Sequence, residues 1–163
     1  MQSALVLRYP QHAERLGRLL AERLSELSGG KPYDFIVSPA LGGLVIGHEV
    51  ARALGIPFLF TERDADRKMS LRRGFTFEPG TRAAIVEDVI TTGGSTKEVI
   101  DLVRGAGAVP VAAGSIVDRS GGSADVGVPR AALQMLTIPA WDPAQCPLCA
   151  NGEPVVKPGS RPV

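Results

Sequence analysis

The chain has 163 residues, of which 44% are hydrophobic and 21% are charged, and its formal net charge is +1. This composition is that of a globular protein, and the near-neutral charge argues against a broad surface for nucleic acid or for an anionic membrane. No apolar run approaches the roughly 18 residues that a membrane span requires. The two cysteines do not make a disulfide framework, so a cytoplasmic location is expected.

The order of the hydrophobic patterns predicts an α/β fold, with an open and mostly parallel sheet flanked by helices. Short apolar runs alternate with longer segments in which apolar residues recur at helical spacing. A single domain is predicted over residues 1–163, and no helix is expected in its Pro-rich tail, 139–163. The predicted strands are 4–7, 35–37, 56–60, 82–88, 109–117 and 132–138, and the predicted helices are 11–28, 43–54 and 94–106.

Two turns with small residues join a predicted strand to a predicted helix. The first, Ser38–Gly43, either only reverses the chain or forms a phosphate cradle from backbone N–H groups. Between the two turns lies a charged segment, Glu62–Phe75, with five cations and three acids. This segment is either a solvated face or a mobile basic loop that closes over a polyanion such as pyrophosphate.

The second turn, Thr91–Ser95, follows an apolar strand that ends in two adjacent carboxylates, Glu87 and Asp88. Carboxylates at this end of a strand face the crevice where open α/β sheets bind ligands. The glycines of the turn let N–H groups face a ligand, and a phosphate there also meets the positive end of a helix dipole. The block lacks the Gly-Lys-Ser/Thr of a Walker loop, and it predicts a sugar-phosphate site.

Two further features follow this block along the chain. The strand 109–117 ends at Asp118-Arg119, and its carboxyl end opens on the same side as the acidic pair. Arg119 either binds a planar carboxylate or carbonyl edge of a ligand, or is a surface arginine paired with Asp118. In the tail, Cys146 and Cys149 are predicted to be two reduced thiols, the alternative being half of a metal site that a second subunit completes.

Taken together, these residues resemble the orotate phosphoribosyltransferase family, within the type I phosphoribosyltransferases. The resemblance covers most of the chain. It implies transfer of the phosphoribosyl group of 5-phosphoribosyl 1-pyrophosphate to orotate, with Mg²⁺ and in a homodimer. The segments that carry the resemblance are Glu87–Ser95, Thr61–Arg63, Met69–Phe75, Val117–Gly122, Cys146–Cys149 and Lys157–Arg161.

The resemblance also implies roles for individual residues. The turn Thr91–Ser95 would hold the 5′-phosphate, and Glu87 and Asp88 the ribose hydroxyls. Thr91 and Arg119 would contact orotate, and Lys68 and Arg63 would be the catalytic cations at the pyrophosphate, reaching across the dimer. The donor-binding residues implied in this way are Glu87, Asp88, Val89, Ile90, Thr91, Thr92, Gly93, Gly94 and Ser95.

Two departures from the family pattern are visible. The family normally has an additional N-terminal helix and strand with a basic residue near the site, and this sequence starts after them. Leu41-Gly42 stands where some members carry an aromatic residue and a lysine. The alternatives to the orotate enzyme are a purine or other base phosphoribosyltransferase and a non-catalytic nucleotide-binding regulator of the same fold.

Overall fold

The structure, a computed structural model, describes residues 2–138 and 141–154. Strands and helices alternate through most of the chain, as the hydrophobic patterns predict. The helices are α1 (Ala4–Leu7), α2 (Pro10–Leu27), α3 (Gly43–Leu54), α4 (Gly94–Gly105) and α5 (Pro147–Ala150), with a 3₁₀ turn at Pro143–Gln145. The strands are β1 (Phe35–Pro39), β2 (Phe58–Arg63), β3 (Met69–Leu71), β4 (Arg82–Ile90), β5 (Val109–Asp118) and β6 (Arg130–Met135).

The six strands form one sheet in the order β3-β2-β1-β4-β5-β6. All neighbours are parallel except β3, which is antiparallel to β2. The α/β prediction is therefore confirmed. From β1 the chain passes through α3 to β2, and from β4 through α4 to β5, so the connections diverge between β1 and β4. Open α/β sheets bind ligands at such a switch point, outside the carboxyl ends of the strands.

Strand β4 lies at the centre of the sheet and is covered on both faces. Ala84 and Val86 pack into the cluster formed with α2 and α3, whereas Ala83 and Ile85 pack into the cluster formed with α4. All four are completely buried, which explains why this strand reads as a continuous apolar run. Burial on both faces fixes the register of β4 and so fixes where its terminal carboxylates emerge.

The ends of the helices follow local chemistry. Pro10 occupies the first turn of α2, where a missing N–H costs little. Gly55 ends α3 in the left-handed conformation, with φ of 69°. None of the helices within the described part of the chain has the length and apolar character needed to cross a membrane.

Two segments near the ends of the described chain differ from the prediction. Ala4–Leu7 is a helical turn rather than an edge strand: Leu7 alone of its residues is buried, and Leu7 N–H bonds locally to the Ser3 carbonyl at 2.9 Å. In the tail, Pro147 begins the short helix α5. The expectation of no helix there was wrong because proline disrupts a helix interior but is tolerated in its first turn.

Candidate active site

The two adjacent carboxylates at the end of β4 diverge to opposite sides of the sheet. Glu87 turns toward α4, where Ser95 Oγ donates to its Oε1 at 2.8 Å and Thr96 Oγ1 to its Oε2 at 2.5 Å. Asp88 turns toward α3, because successive strand residues point to opposite faces. The two side chains therefore flank the crevice at the switch point.

Asp88 lies directly over the start of α3. A Cβ on Gly42 would lie 2.7 Å from Asp88 Oδ1, so a larger residue there would displace the Asp88 carboxylate. The Ser3 hydroxyl, in the turn before α1, donates to Asp88 Oδ2, and Val89 N–H donates to Oδ1 at 2.9 Å. Ser3 is a contact that sequence reasoning missed, because nothing in the chain signals a pairing across 85 residues.

The environment of Glu87 disfavours its charge. Burial raises the pKa of this carboxyl above its usual value, the Asp88 charge adds to the effect, and hydrogen bonds from Thr96 and Ser95 oppose it without cancelling it. The Arg63 charge also opposes the shift, as the smallest of these influences. Glu87 is thus a carboxylate whose nearest partners are neutral hydroxyls.

The turn Thr91–Ser95 forms the start of α4. Gly93 has φ of 81° and occupies the N-cap position, and its carbonyl accepts the Lys97 N–H at 2.8 Å. Thr92 Oγ1 accepts from Gly94 N–H at 3.4 Å. Amides in the first turn of a helix have no partner within the helix, so they are available to an anion.

Val89 and Ile90, the remaining predicted donor-binding residues, belong to the strand itself. The Ile90 side chain is 1% exposed and packs in the core. Its carbonyl accepts the Arg119 N–H at 2.8 Å, which joins the ends of β4 and β5. Ile90 therefore connects the start of the turn to the core and to the end of β5.

The first turn, Ser38–Gly43, is built for close approach. A Cβ on Gly43 would lie 2.9 Å from both Ser38 Cβ and the Val86 carbonyl oxygen. The Ala40–Leu41 peptide bond is cis, and Leu41 is 82% exposed beside the crevice. The small residues of this turn thus bring the start of α3 against β4.

The charged segment after β2 is an ordered hairpin that packs against α4. Strand β3 pairs with β2, and in the turn between them Lys68 N–H donates to Asp64 Oδ1 at 2.9 Å. Arg63 Nη1 forms an ion pair with Glu98 Oε2 of α4 at 2.8 Å. Sequence analysis missed β3, because its three residues form a strand only through pairing with β2.

An open groove of about 490 Å³ lies beside the contact between Arg63 and Glu98, lined by residues of the hairpin and of α4. Arg63 and Lys68 both line it, so the structure brings the two predicted catalytic cations together. Arg67 lines it too, and with Glu98 and Asp101 on the opposite side the groove has three cations and two acids. At the far end of the hairpin, Arg73 binds Glu62 through two hydrogen bonds of 2.9 and 3.0 Å.

Arg119 follows β5 on the neighbouring strand. Its Nε is buried without a hydrogen-bond partner among the described residues. The alternative of an ion pair with Asp118 was wrong, because Asp118 instead accepts from Arg130 Nη1, Ser120 N–H and Ser120 Oγ. Burial alone would raise the pKa of Asp118, yet the hydrogen bonds from Arg130 and Ser120 together hold it below its usual value.

The two cysteines lie far along the chain, beside α5. Neither Cys146 nor Cys149 takes part in a disulfide bond. Within residues 2–138 and 141–154, no group of three or more His, Cys, Asp or Glu side chains is placed to hold a metal ion.

Comparison with known families agrees with this architecture. A family model described as the phosphoribosyl transferase domain matches residues 5–130. The chain belongs to the phosphoribosyltransferase family.

Sequence relatives narrow the class further. The chain is 47% identical over 161 residues to the orotate phosphoribosyltransferase of Caldanaerobacter subterraneus subsp. tengcongensis, a match that covers 99% of this chain and 82% of the relative. The resemblance to the orotate phosphoribosyltransferases is therefore confirmed at the level of the whole chain.

Solved structures share the fold at lower sequence identity. Adenine phosphoribosyltransferase from Thermoanaerobacter pseudethanolicus matches with a TM-score of 0.65 at 18% identity, covering 80% of this chain and 84% of that chain. Orotate phosphoribosyltransferase from Aeropyrum pernix matches with a TM-score of 0.62 at 23% identity, covering 80% and 75%. Proteins named for different bases share the fold, so the fold alone does not select the base.

Proposed function

We propose that the chain transfers the phosphoribosyl group of 5-phosphoribosyl 1-pyrophosphate to orotate, giving orotidine 5′-phosphate and pyrophosphate in pyrimidine biosynthesis. The observation that carries the proposal is that Glu87 and Asp88 end β4 at the sheet's switch point, directly before the turn Thr91–Ser95 that begins α4. This arrangement offers hydroxyl binding and phosphate binding side by side. The 47% identity to an orotate phosphoribosyltransferase selects the base.

The donor's ribose phosphate fits the residues of the crevice. Both carboxylates already accept hydrogen bonds from hydroxyls, Glu87 from Ser95 and Asp88 from Ser3. The 2′- and 3′-hydroxyls of a ribose offer the same kind of donor. The 5′-phosphate takes the amides of the turn Thr91–Ser95, where the dipole of α4 favours negative charge.

The pyrophosphate leaves as the anomeric C–O bond breaks, and negative charge develops on it. Arg63 and Lys68, which line the groove beside α4, are the residues that stabilise this charge. To do so the hairpin leaves its resting contact with Glu98 and moves over the crevice, which also excludes water.

Mg²⁺ fits this site as an ion held chiefly by the donor's own oxygens. Glu87 and Asp88 diverge across the strand, and no described cluster of three ligands stands beside them. Mg²⁺ keeps several water and phosphate ligands in such sites. When bound, it neutralises charge on the departing pyrophosphate.

Orotate is assigned to the Arg119 side of the crevice. Arg119 directly follows β5, and its backbone N–H is bonded to the carbonyl of Ile90, the residue just before Thr91. A guanidinium with an unpartnered buried Nε is suited to the carboxylate and carbonyl edge of orotate. Thr91 is assigned the second contact to orotate, from the donor side.

A cytoplasmic homodimer completes the proposal. Leu5, Val6, Leu41 and Val45 are each at least 45% exposed near α1 and the start of α3. Apolar side chains grouped in this way are typical of a surface that a second subunit covers.

The test measures the loss of orotate absorbance with purified protein, 5-phosphoribosyl 1-pyrophosphate and Mg²⁺. Turnover with adenine as acceptor is measured in a parallel reaction. Turnover with orotate alone is expected. Turnover with adenine alone would assign the protein to the purine enzymes. Donor binding by calorimetry without turnover on either base would instead support the nucleotide-binding regulator.

Replacing Lys68 by Ala tests the hairpin. Its exposed side chain contributes little to folding, so kcat is expected to fall about tenfold while the unfolding midpoint stays unchanged. Lys31→Ala, an exposed lysine before β1, is the matched control and should keep full activity. An unaltered kcat in Lys68→Ala would move the leaving-group role to Arg63.

A further inference from the structure

The loop after β5 is folded around a buried ion pair. Asp118 is 0% exposed, and an isolated carboxylate in that position would be costly. It is satisfied by Arg130 at the start of β6 and by two hydrogen bonds from Ser120, of 2.7 Å from N–H and 2.6 Å from Oγ. The Asp118 carboxylate thus joins the end of β5, the start of the loop and the start of β6.

Arg130 and Ser120 extend this connection into the loop. Arg130 Nε donates to the Ala124 carbonyl at 2.7 Å, and Ser120 Oγ accepts from Ala124 N–H at 2.9 Å. The N–H and the carbonyl of Ala124 are therefore both bonded to side chains that also bond Asp118. The planar guanidinium reaches the carboxylate and the carbonyl at once, which a lysine ammonium does less well.

The same loop places Val126 beside the turn Thr91–Ser95. Val126 is 1% exposed and lies in the same apolar cluster as Val99 and Ile100 of α4. A Cβ on Gly93 would lie 2.8 Å from Val126 Cγ1, so the two are in close contact. The position of Val126 therefore limits where the Gly93 backbone can go.

The Asp118 carboxylate also fixes the backbone on the Arg119 side of the crevice, the side assigned to orotate. Asp118 and Arg119 are consecutive and project to opposite sides. Arg119 N–H is bonded to the Ile90 carbonyl, and Leu136 N–H to the Asp118 carbonyl, both through backbone groups. Holding Asp118 in place holds the backbone from which Arg119 projects.

We infer that Asp118 and Arg130 are positioning residues, which set Gly93 through Val126 and set Arg119 through the end of β5. One buried pair thereby adjusts both the phosphate side and the base side of the crevice. The kinetic consequence rests on the proposed function, whereas the structural consequence for the turn does not.

The experiment compares Arg130→Lys with Arg104→Lys, in which the arginine belongs to an exposed pair with Asp101 on α4. Arg130→Lys keeps the charge beside Asp118 but loses the simultaneous bond to Ala124. KM for the donor and KM for orotate are each expected to rise about fivefold or more, with kcat changed less than about twofold. Arg104→Lys should resemble wild type.

Val126→Ala is the second variant, because it leaves the ion pair intact. In Val126→Ala only the donor KM is expected to rise, by about threefold or more, because Val126 contacts the phosphate side alone. A merely structural role would reduce the amount of folded enzyme, which lowers apparent kcat and leaves both KM values unchanged. That pattern in both variants overturns the inference.

Hydrogen exchange without ligand separates this inference from the proposed function. Amides of residues 91–96 should exchange about tenfold faster in Arg130→Lys, while those of α2 stay as in wild type. If wild type turns over no orotate, the proposed function fails and exchange alone decides the positioning role. Unchanged exchange at 91–96 contradicts the positioning role whatever the activity.

Discussion

Glu87 and Asp118 are carboxylates near the ends of neighbouring strands, yet their surroundings are opposite. Asp118 is fully buried and has its own cation, Arg130, so its pKa is held low. Glu87 meets only hydroxyls at hydrogen-bonding distance, and burial raises its pKa. One carboxylate is satisfied within the fold, and the other keeps capacity for a ligand. The difference separates an acid that the fold itself satisfies from one that is proposed to bind the donor, although both follow an apolar strand.

Removing the cation should produce the largest effect on stability. In Arg130→Ala the Asp118 charge is left buried, and the free energy of unfolding is expected to fall by about 3–5 kcal/mol. Urea denaturation measures it. Adding Asp118→Asn to this variant should recover part of the loss, because no buried charge then remains. A loss below about 1 kcal/mol would mean that Asp118 is not held by the pair.

Replacing Glu87, the carboxylate proposed to bind the donor, should give the reverse pattern. Glu87→Gln removes a charge that burial disfavours, so the free energy of unfolding is expected to stay level or to rise by up to about 1 kcal/mol. Donor affinity, measured by calorimetry, should fall about tenfold, equivalent to about 1.4 kcal/mol. A variant that is strongly destabilised yet binds donor normally would exchange the roles assigned to Glu87 and Asp118.

The pH dependence of stability should distinguish the two acids with a smaller effect. The folded pKa of Asp118 is lowered, so its contribution is fully present above the unfolded value of about 3.9 and is lost as pH falls through the folded value. The folded pKa of Glu87 is raised, so its cost is present above that pKa and is relieved as pH falls toward about 4.3.

Urea denaturation between about pH 3 and pH 7 checks both signs. Asp118→Asn should flatten the acid-side fall, and Glu87→Gln should remove the gain that precedes it. Identical profiles in wild type and Glu87→Gln would show that burial does not disfavour the Glu87 charge.

The sequence predicts the fold well where patterns are local. Helix α3 has the predicted bounds because its apolar residues recur at helical spacing and Gly55 follows it. Strand β4 was predicted because burial on both faces leaves a continuous apolar run. The turn Thr91–Ser95 was also visible, since its glycines and hydroxyl residues are adjacent in the chain.

What the sequence does not predict depends on contacts between distant residues. Ser3 meets Asp88 across 85 positions, and Arg130 meets Asp118 across 12. Strand β3 exists through pairing with β2, and neither its length nor its periodicity signals it. Thr96 directly follows the recognised turn, but its hydrogen bond to Glu87 depends on side-chain placement that the sequence does not show.

The most direct test of the account is kcat/KM for the donor in Asp88→Asn, with orotate saturating. Asp88 lies over Gly42 at the crevice, and its charge is assigned to the ribose hydroxyls. We expect kcat/KM to fall at least tenfold, about 1.4 kcal/mol of transition-state stabilisation, with an unchanged unfolding midpoint. Unchanged kcat/KM would contradict the placement of the donor in this crevice.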